Sequence, residues 1–560
     1  MLSKPSPSTQ HLPKVSFSTL SSPATTGSNI KTQSRQPTET ESQEHARFVA
    51  GDQFYNYEIY GSLRPGGPVA FFSRECAGLV AAIFSSMFSF GGFQFVLLPM
   101  VGKDLHLSKQ ELLALQRLVD VPMSLSILIG MLSDCYPILG LRRKAYTIVG
   151  LALNAVSVLT IAGICAYFES QDHIAAGFKP LVILLTLCTS AGCMFTYLCT
   201  HTRLIELSQR EPLCERGAIQ ATYLMFRRFT QLVGAIYVYA AMGPLANGQS
   251  PVGLSLAQSL IILVLISVAP LPIILRLWHE DTYSLSSTMR VRASIFWRIM
   301  QQKAVWRIMA FIGFFTFFLA IRFNDSANVV RSWAGATNDN PLIVRAVTDL
   351  IMLLTMLVWR QFFVNTLWRR FFAWCPVLAI VPLLAMGGCI CFDVMRNRYF
   401  YRVMMGLISV SDGIAFLDNI VPLTEIIQEG SEGATVGLVL TLQRVIAIFV
   451  STSSSYAFAG ERFYDAAEVA DDTAHARSQV FVSLLINCVI MAVSFVGLAF
   501  LPCQKLDAQQ LRMYGGFAKS AGICVVALSA IVFLYSVVIN VMAFIPSTAC
   551  LRIAGGSGCA

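Results

Sequence analysis

Twelve apolar runs of 20 to 28 residues follow one another along this chain, and no other feature narrows its fold as much. A hydrocarbon core about 30 Å thick takes about 20 helical residues to cross. In lipid, a helix satisfies every backbone hydrogen bond within its own segment. The runs are Ala77–Val101, Leu112–Leu132, Tyr146–Phe168, Leu181–Ile205, Gly217–Gly243 and Val252–Trp278, then Ala304–Phe323, Pro341–Val364, Phe371–Val394, Phe400–Ile427, Ala434–Ala459 and Ser478–Pro502. The expected class is therefore an all-α polytopic membrane protein. Composition agrees, with 55% hydrophobic and 13% charged residues, against about 25% charged in soluble domains.

The runs divide six and six around a basic stretch, 279–303, which carries Arg290, Arg292, Arg298 and Lys303. The expected organisation is a Ser/Thr-rich disordered tail over 1–74, a six-helix half over 75–278, the linker over 279–303, a second half over 304–502 and a C-terminal segment over 503–560. No charged-then-apolar leader opens the chain. With the N-terminus inside, Arg142, Arg143, Lys144, Arg203, Arg210, Arg216, Arg369 and Arg370 fall on inner loops, as the positive-inside rule asks. The plasma membrane is the expected location, with an organellar membrane the alternative. A thirteenth run, Gly522–Ile545, either spans or lies along the bundle, and the sequence leaves that open.

A net charge of +9 fits basic loops beside an anionic leaflet and implies no nucleic acid. The 15 cysteines lack paired spacing and read as packing residues, and the seven histidines form no metal motif. No GxxxxGK[ST] loop is present, which excludes a built-in ATP motor. No cofactor is implied, and the chain is expected to work as a monomer in the lipid.

A repeat links the halves. Glu215-Arg216-Gly217-Ala218 opens the fifth run and Ser431-Glu432-Gly433-Ala434 the eleventh. Eleven residues separate Gly217 from Arg228, and eleven separate Gly433 from Arg444. At 1.5 Å per residue each arginine lies about 16 Å into its helix, near the bilayer midplane. Arg117/Asp120 and Arg345/Asp349 occupy corresponding positions in the second and eighth runs. Parallel six-helix repeats of this kind build major facilitator folds, with the substrate site between the halves.

Charge at helix centre costs roughly 2.5–3.5 kcal/mol per residue, so it needs a reason. Arg228 and Arg444, with Arg227, Arg117 and Asp120, are the candidate substrate-binding residues. A planar guanidinium fork suits a flat or carboxylated anion. Asp412, with Asp418 and Asp349, is the candidate proton-coupling acid. The competing account is mutual neutralisation, pairing Arg117 with Asp120, Arg345 with Asp349, and Asp412 with Arg444 or Arg228. In the stretch GMLSDCYPILGLRRK, Asp134 is placed to latch to Arg142 or Arg143 across a Pro137/Gly140 turn. Glu206 and Glu425 close the fourth and tenth runs on the same face, as further gate residues.

The segment PMSLSILIGMLSDCYPILGLRRKAY resembles the second-to-third helix signature of the folate–biopterin transporter family, through Pro122, Gly130, Ser133, Asp134, Pro137, Ile138, Gly140, Arg142, Arg143 and Tyr146. REPLCERGAIQATYLMFRR, NTLWRR, EGSEGAT and LPCQK resemble its later segments. The resemblance implies a major facilitator fold and transport of pterins, folates or related metabolites, commonly with proton coupling. Met123 and Ser126 stand where the family usually has Trp and Lys, and His201 where it often has Asp. Another organic anion, S-adenosylmethionine, an amino-acid-like solute or a non-transporting receptor role are the alternatives.

Overall fold

The computed structural model describes residues 61–169, 176–242, 253–280, 282, 288–337, 341–418, 420–454 and 463–554. Among the described residues, the apolar runs fold mainly as helix. Helix α1 (Ala77–Gly92) continues through a π turn at Phe93–Leu97 into Leu98–Asp104. It is followed by α2 (Lys109–Cys135), α3 (Lys144–Phe168), α4 (Lys179–Ser208), α5 (Ala218–Met242) and α6 (Leu256–Leu277). The linker helix α7 (Met289–Gln301) buries Phe296, Ile299 and Met300 and exposes Arg290 and Arg298. The second set is α8 (Lys303–Ala320), the short α9 (Asn324–Trp333), α10 (Pro341–Val358), α11 (Trp368–Cys391), α12 (Arg398–Ala415), α13 (Glu432–Ser454) and α14 (Ala474–Gly497). A surface helix α15 (Lys505–Tyr514) and α16 (Lys519–Met542) complete the chain. Nine helices among the described residues are long and apolar enough to cross a membrane, which makes this a multi-pass membrane protein.

The halves meet along two seams, α2 against α13 and α5 against α10, the helices that the repeat relates. The first seam is close enough for backbones to touch. A Cβ on Gly130 would lie 2.0 Å from the Gly433 carbonyl oxygen, and one on Gly437 2.5 Å from that of Ser126. Ile127 N–H also donates to Thr441 Oγ1 across it, at 3.1 Å. Close approach through small residues is how helices associate where lipid removes the hydrophobic drive.

Three helix breaks decide where charges point. Pro122 has no N–H for the Leu118 carbonyl, and α2 resets through turns at Val119–Asp120 and Leu125. Helix α8 stops at Ala320, three residues short of the apolar run, and Ile321–Phe323 runs non-helical. Asn487 of α14 holds that break, accepting from Phe323 N–H and donating to Ile321 O. Helix α12 stops at Ala415, well before the run ends at Ile427, and Phe416–Asp418 form a turn.

The structure corrects the expected free tail and the reading of every cysteine as a packing residue, and places the thirteenth run. The segment from Gly61 to Arg74 is not a free tail: Leu63 and Arg64 N–H both donate to Gln209 O. Residues 1–60 lie outside the described residues. The thirteenth run, which the sequence left open, forms helix α16, packed against α13, α8 and the linker helix α7. Ala518 N–H reaches Gln301 O near one end, and Asn540 Nδ2 donates to Thr452 Oγ1 near the other. Cys550 is disulfide-bonded, so not every cysteine serves packing alone.

Candidate functional site

One end of the bundle is sealed by ion pairs. Arg143 Nη2 lies 2.7 Å from Asp134 Oδ1, both side chains 2% exposed, and Arg143 Nη1 donates to Ser133 Oγ. Asp134 also crosses to the other half, accepting from Gly433 and Ala434 N–H at the start of α13. A helix N-terminus offers free N–H groups and positive potential to such a carboxylate. Glu206 bridges Arg143 (3.4 Å) and Arg203 (2.9 Å). Glu425 pairs with Arg216 at 2.8 Å, both side chains 1% exposed, again joining the halves. Of the two expected latch partners, Arg143 makes the bond. Arg142 is set by its backbone N–H, which donates to Glu280.

The surface helix α15 reinforces the seal. Gln509 Nε2 of α15 donates to Glu425 Oε2. Lys505 Nζ, from the same helix, donates to Leu213 O in the α4–α5 loop. Burial pulls the Lys505 ammonium down to about 8.

Above the seal lies a cavity of about 550 Å³. It is lined from α5 by Arg227 and Arg228, from α10 by Arg345 and Asp349, and from α13 by Gln443 and Arg444. The breaks after α8 and α12 bring in Arg322, Phe416 and Asp418, and Asp412 lies on α12 itself. The Arg322 and Asp412 side chains are each 35% exposed, in contrast to the buried pairs at the sealed end. These two side chains therefore face open space in the cavity.

The charges sort into two groups. Three arginines carry a carboxylate: Arg345 with Asp349 (3.0 Å), Arg322 with Asp412 (2.5 Å) and Arg444 with Asp120 (3.2 Å). Arg227 and Arg228 have none within salt-bridge distance among the described residues. Arg227 Nη1 donates to Tyr197 Oη at 2.6 Å, and its Cζ sits 4.0 Å from the Tyr197 ring centroid. Arg228 Cζ lies 4.1 Å over Phe416, and its Nε is buried without an acceptor. Conversely, Asp418 is 2% exposed and has no cation within salt-bridge distance among the described residues. Its oxygens accept from Thr316 Oγ1 (3.1 Å) and Gln443 Nε2 (3.0 Å).

Of the expected neutralising pairs, only Arg345–Asp349 forms. Asp120 does not pair with Arg117, because the reset of α2 at Pro122 turns it toward α13 and Arg444. Asp412 does not pair with Arg444 or Arg228, because the break after α8 delivers Arg322 to it first. Arg322, Phe416, Tyr197 and Thr316 were not among the expected site residues. Arg322 alone left a sequence signal, a cation at the end of an apolar run.

Two six-helix halves around a charged cavity, shut at one end by cross-half ion pairs, define a membrane transporter of the major facilitator fold. The structure is similar to the E. coli fucose:proton symporter FucP, with a TM-score of 0.51 at 14% identity, covering 75% of this chain and 97% of that one. It is also similar to the proton:xylose symporter XylE (0.48, 13%, 74% and 94%). The human organic anion transporter MFSD10 gives 0.48 at 11%, covering 75% and 99%. No curated protein matches the sequence. The chain matches the family model described as the BT1 family over residues 93–513, and it belongs to that family, the folate–biopterin transporters.

Proposed function

We propose that this protein is a secondary transporter of a planar organic anion of the folate or pterin kind, working by alternating access and driven by protons. The observation that carries the reading is the cavity's charge partition. Among the described residues, two guanidiniums lack a carboxylate and one buried carboxylate lacks a cation, so the cavity is short of an anion and has a separate place for a proton. Arg228, with Phe416 beneath it, offers a flat donor fork over an aromatic face. Arg227, Arg228 and Arg444 are the proposed ligand-facing cations, with Arg444 held by Asp120 until a ligand competes for it. Asp418 is the proposed proton carrier ahead of Asp412 and Asp349, whose carboxylates are already committed to Arg322 and Arg345.

Asp134, Arg143, Glu206 and Glu425 are the proposed gate. Basic loops stay in the cytoplasm, so the sealed end, with Arg142, Arg143 and Lys144, is the cytoplasmic one. The conformation is then outward-open. The fold's membership in the BT1 family supports a folate- or pterin-like cargo. The two free guanidiniums favour an anion over cationic S-adenosylmethionine.

Equilibrium binding to the purified protein tests the reading. Labelled folic acid should bind saturably and be competed by biopterin but not by S-adenosylmethionine. Binding of S-adenosylmethionine alone, or of none of the three, would overturn the assignment of substrate class.

A further inference from the structure

The sealed end is incomplete without a piece of chain that belongs to neither half. Around Arg143 stand three buried or nearly buried carboxylates, Asp134, Glu206 and Glu432. Among the described residues of the two halves, Arg143 and Arg203 are the cations paired with them. The third cation is Arg64, which precedes the first span. Its Nη2 lies 2.5 Å from Glu432 Oε1, where Glu432 is 3% exposed in the first turn of α13. Its Nε donates to Gln209 Oε1 at 2.6 Å, at the end of α4. One guanidinium therefore holds the first half through Gln209 and the second through Glu432.

The surrounding residues fix that guanidinium in place. Leu63 and Arg64 N–H donate to Gln209 O at 2.9 and 3.2 Å, and Ser62 Oγ donates to Arg210 O at 3.1 Å. Gly61 O accepts from Arg216 Nη2, on the guanidinium whose Nη1 is paired with Glu425. Gln209 in turn donates through Nε2 to Thr424 O across the halves. The segment thus ties into both cross-half ion pairs of the sealed end, Arg143–Glu432 and Arg216–Glu425. Glu432 Oε2 has no hydrogen-bond partner and sits 3.6 Å from Arg143 Nη2. Without Arg64 a buried carboxylate would depend on an arginine already shared by two others, and an uncompensated buried charge strongly destabilises the state that contains it.

We propose that Gly61–Arg64 is a latch that stabilises the sealed state, so that its release sets how readily this end opens. The proposal rests on the alternating-access reading but not on the identity of the ligand.

Hydrogen–deuterium exchange on the full-length protein in lipid nanodiscs, without ligand, tests the latch. In Arg64→Ala, amides at the start of α13 (Gly433–Val436) and around Gln209 should exchange at least tenfold faster than in the wild type. Amides in the middle of α3, away from the seam, should be unchanged. Arg64→Lys keeps the charge but has no fork to span both partners, so it should fall between the two. Exchange at Gly433–Val436 unchanged in Arg64→Ala would overturn the latch. Arg64→Lys matching the wild type while Arg64→Ala opens would overturn the bridging geometry. Because no ligand is present, neither result depends on what the protein carries.

Discussion

At the scale of single residues, Arg228 carries the sharpest expectation. Its guanidinium stacks on Phe416 while its Nε stays buried without an acceptor, an arrangement that a ligand's acceptor would complete. Lysine would keep the charge but lose both the stacking plane and the fork. In a water-poor site, leaving a ligand charge without its partner costs about 2–5 kcal/mol, roughly 30-fold to several thousand-fold in affinity. Arg228→Lys should therefore weaken folate binding at least 30-fold, with the purified protein still monodisperse and thermally stable. Unchanged binding would move the anion site toward Arg444. Arg228 was legible in the sequence because depth along a helix follows from counting residues. Its freedom from any carboxylate was not, because that depends on where Asp349 and Asp412 find their own partners.

At the scale of elements, the spans were legible and their interruptions were not. A run of twenty apolar residues declares a helix by itself. The stop of α8 at Ala320 depends on Asn487, on another helix and 166 residues from Ile321. The same contrast runs through the ion pairs. Asp134–Arg143 and Arg345–Asp349 are close in sequence and could be read from a turn and from i,i+4 spacing. Arg444–Asp120 and Arg322–Asp412 join distant elements and follow from helix breaks that only packing reveals. The α2–α13 crossing yields a test. With Gly433 O only 2.0 Å from an added Cβ, Gly130→Ala cannot fit the sealed state without parting the helices. Overpacking typically costs about 1–3 kcal/mol, which shifts a two-state population roughly 5- to 150-fold. Double electron–electron resonance between labels on α3 and α14 at the sealed end should show a longer-distance population in the variant. A distribution identical to that of the wild type would mean the crossing is not the contact that seals.

At the scale of the whole molecule, three features compose one cycle: a seal held by cross-half ion pairs, a cavity short of an anion, and a buried carboxylate without a cation. In the proposed reading, an entering anion would satisfy Arg227 and Arg228 and compete with Asp120 for Arg444, loosening one of the links between halves inside the cavity. A proton on Asp418 removes the remaining buried negative charge, so the loaded cavity can be closed off from water at lower cost. On that reading, coupling would require the proton and the anion to move together, with Asp418 as the proposed proton carrier. Proteoliposomes holding wild-type protein should accumulate labelled folate when an inward proton gradient is imposed and should exchange it in counterflow without one. Asp418→Asn should retain counterflow within a few-fold, because the anion site is intact, and should lose gradient-driven accumulation. An Asp418→Asn variant that accumulates folate as well as the wild type, under the same gradient, would contradict the account.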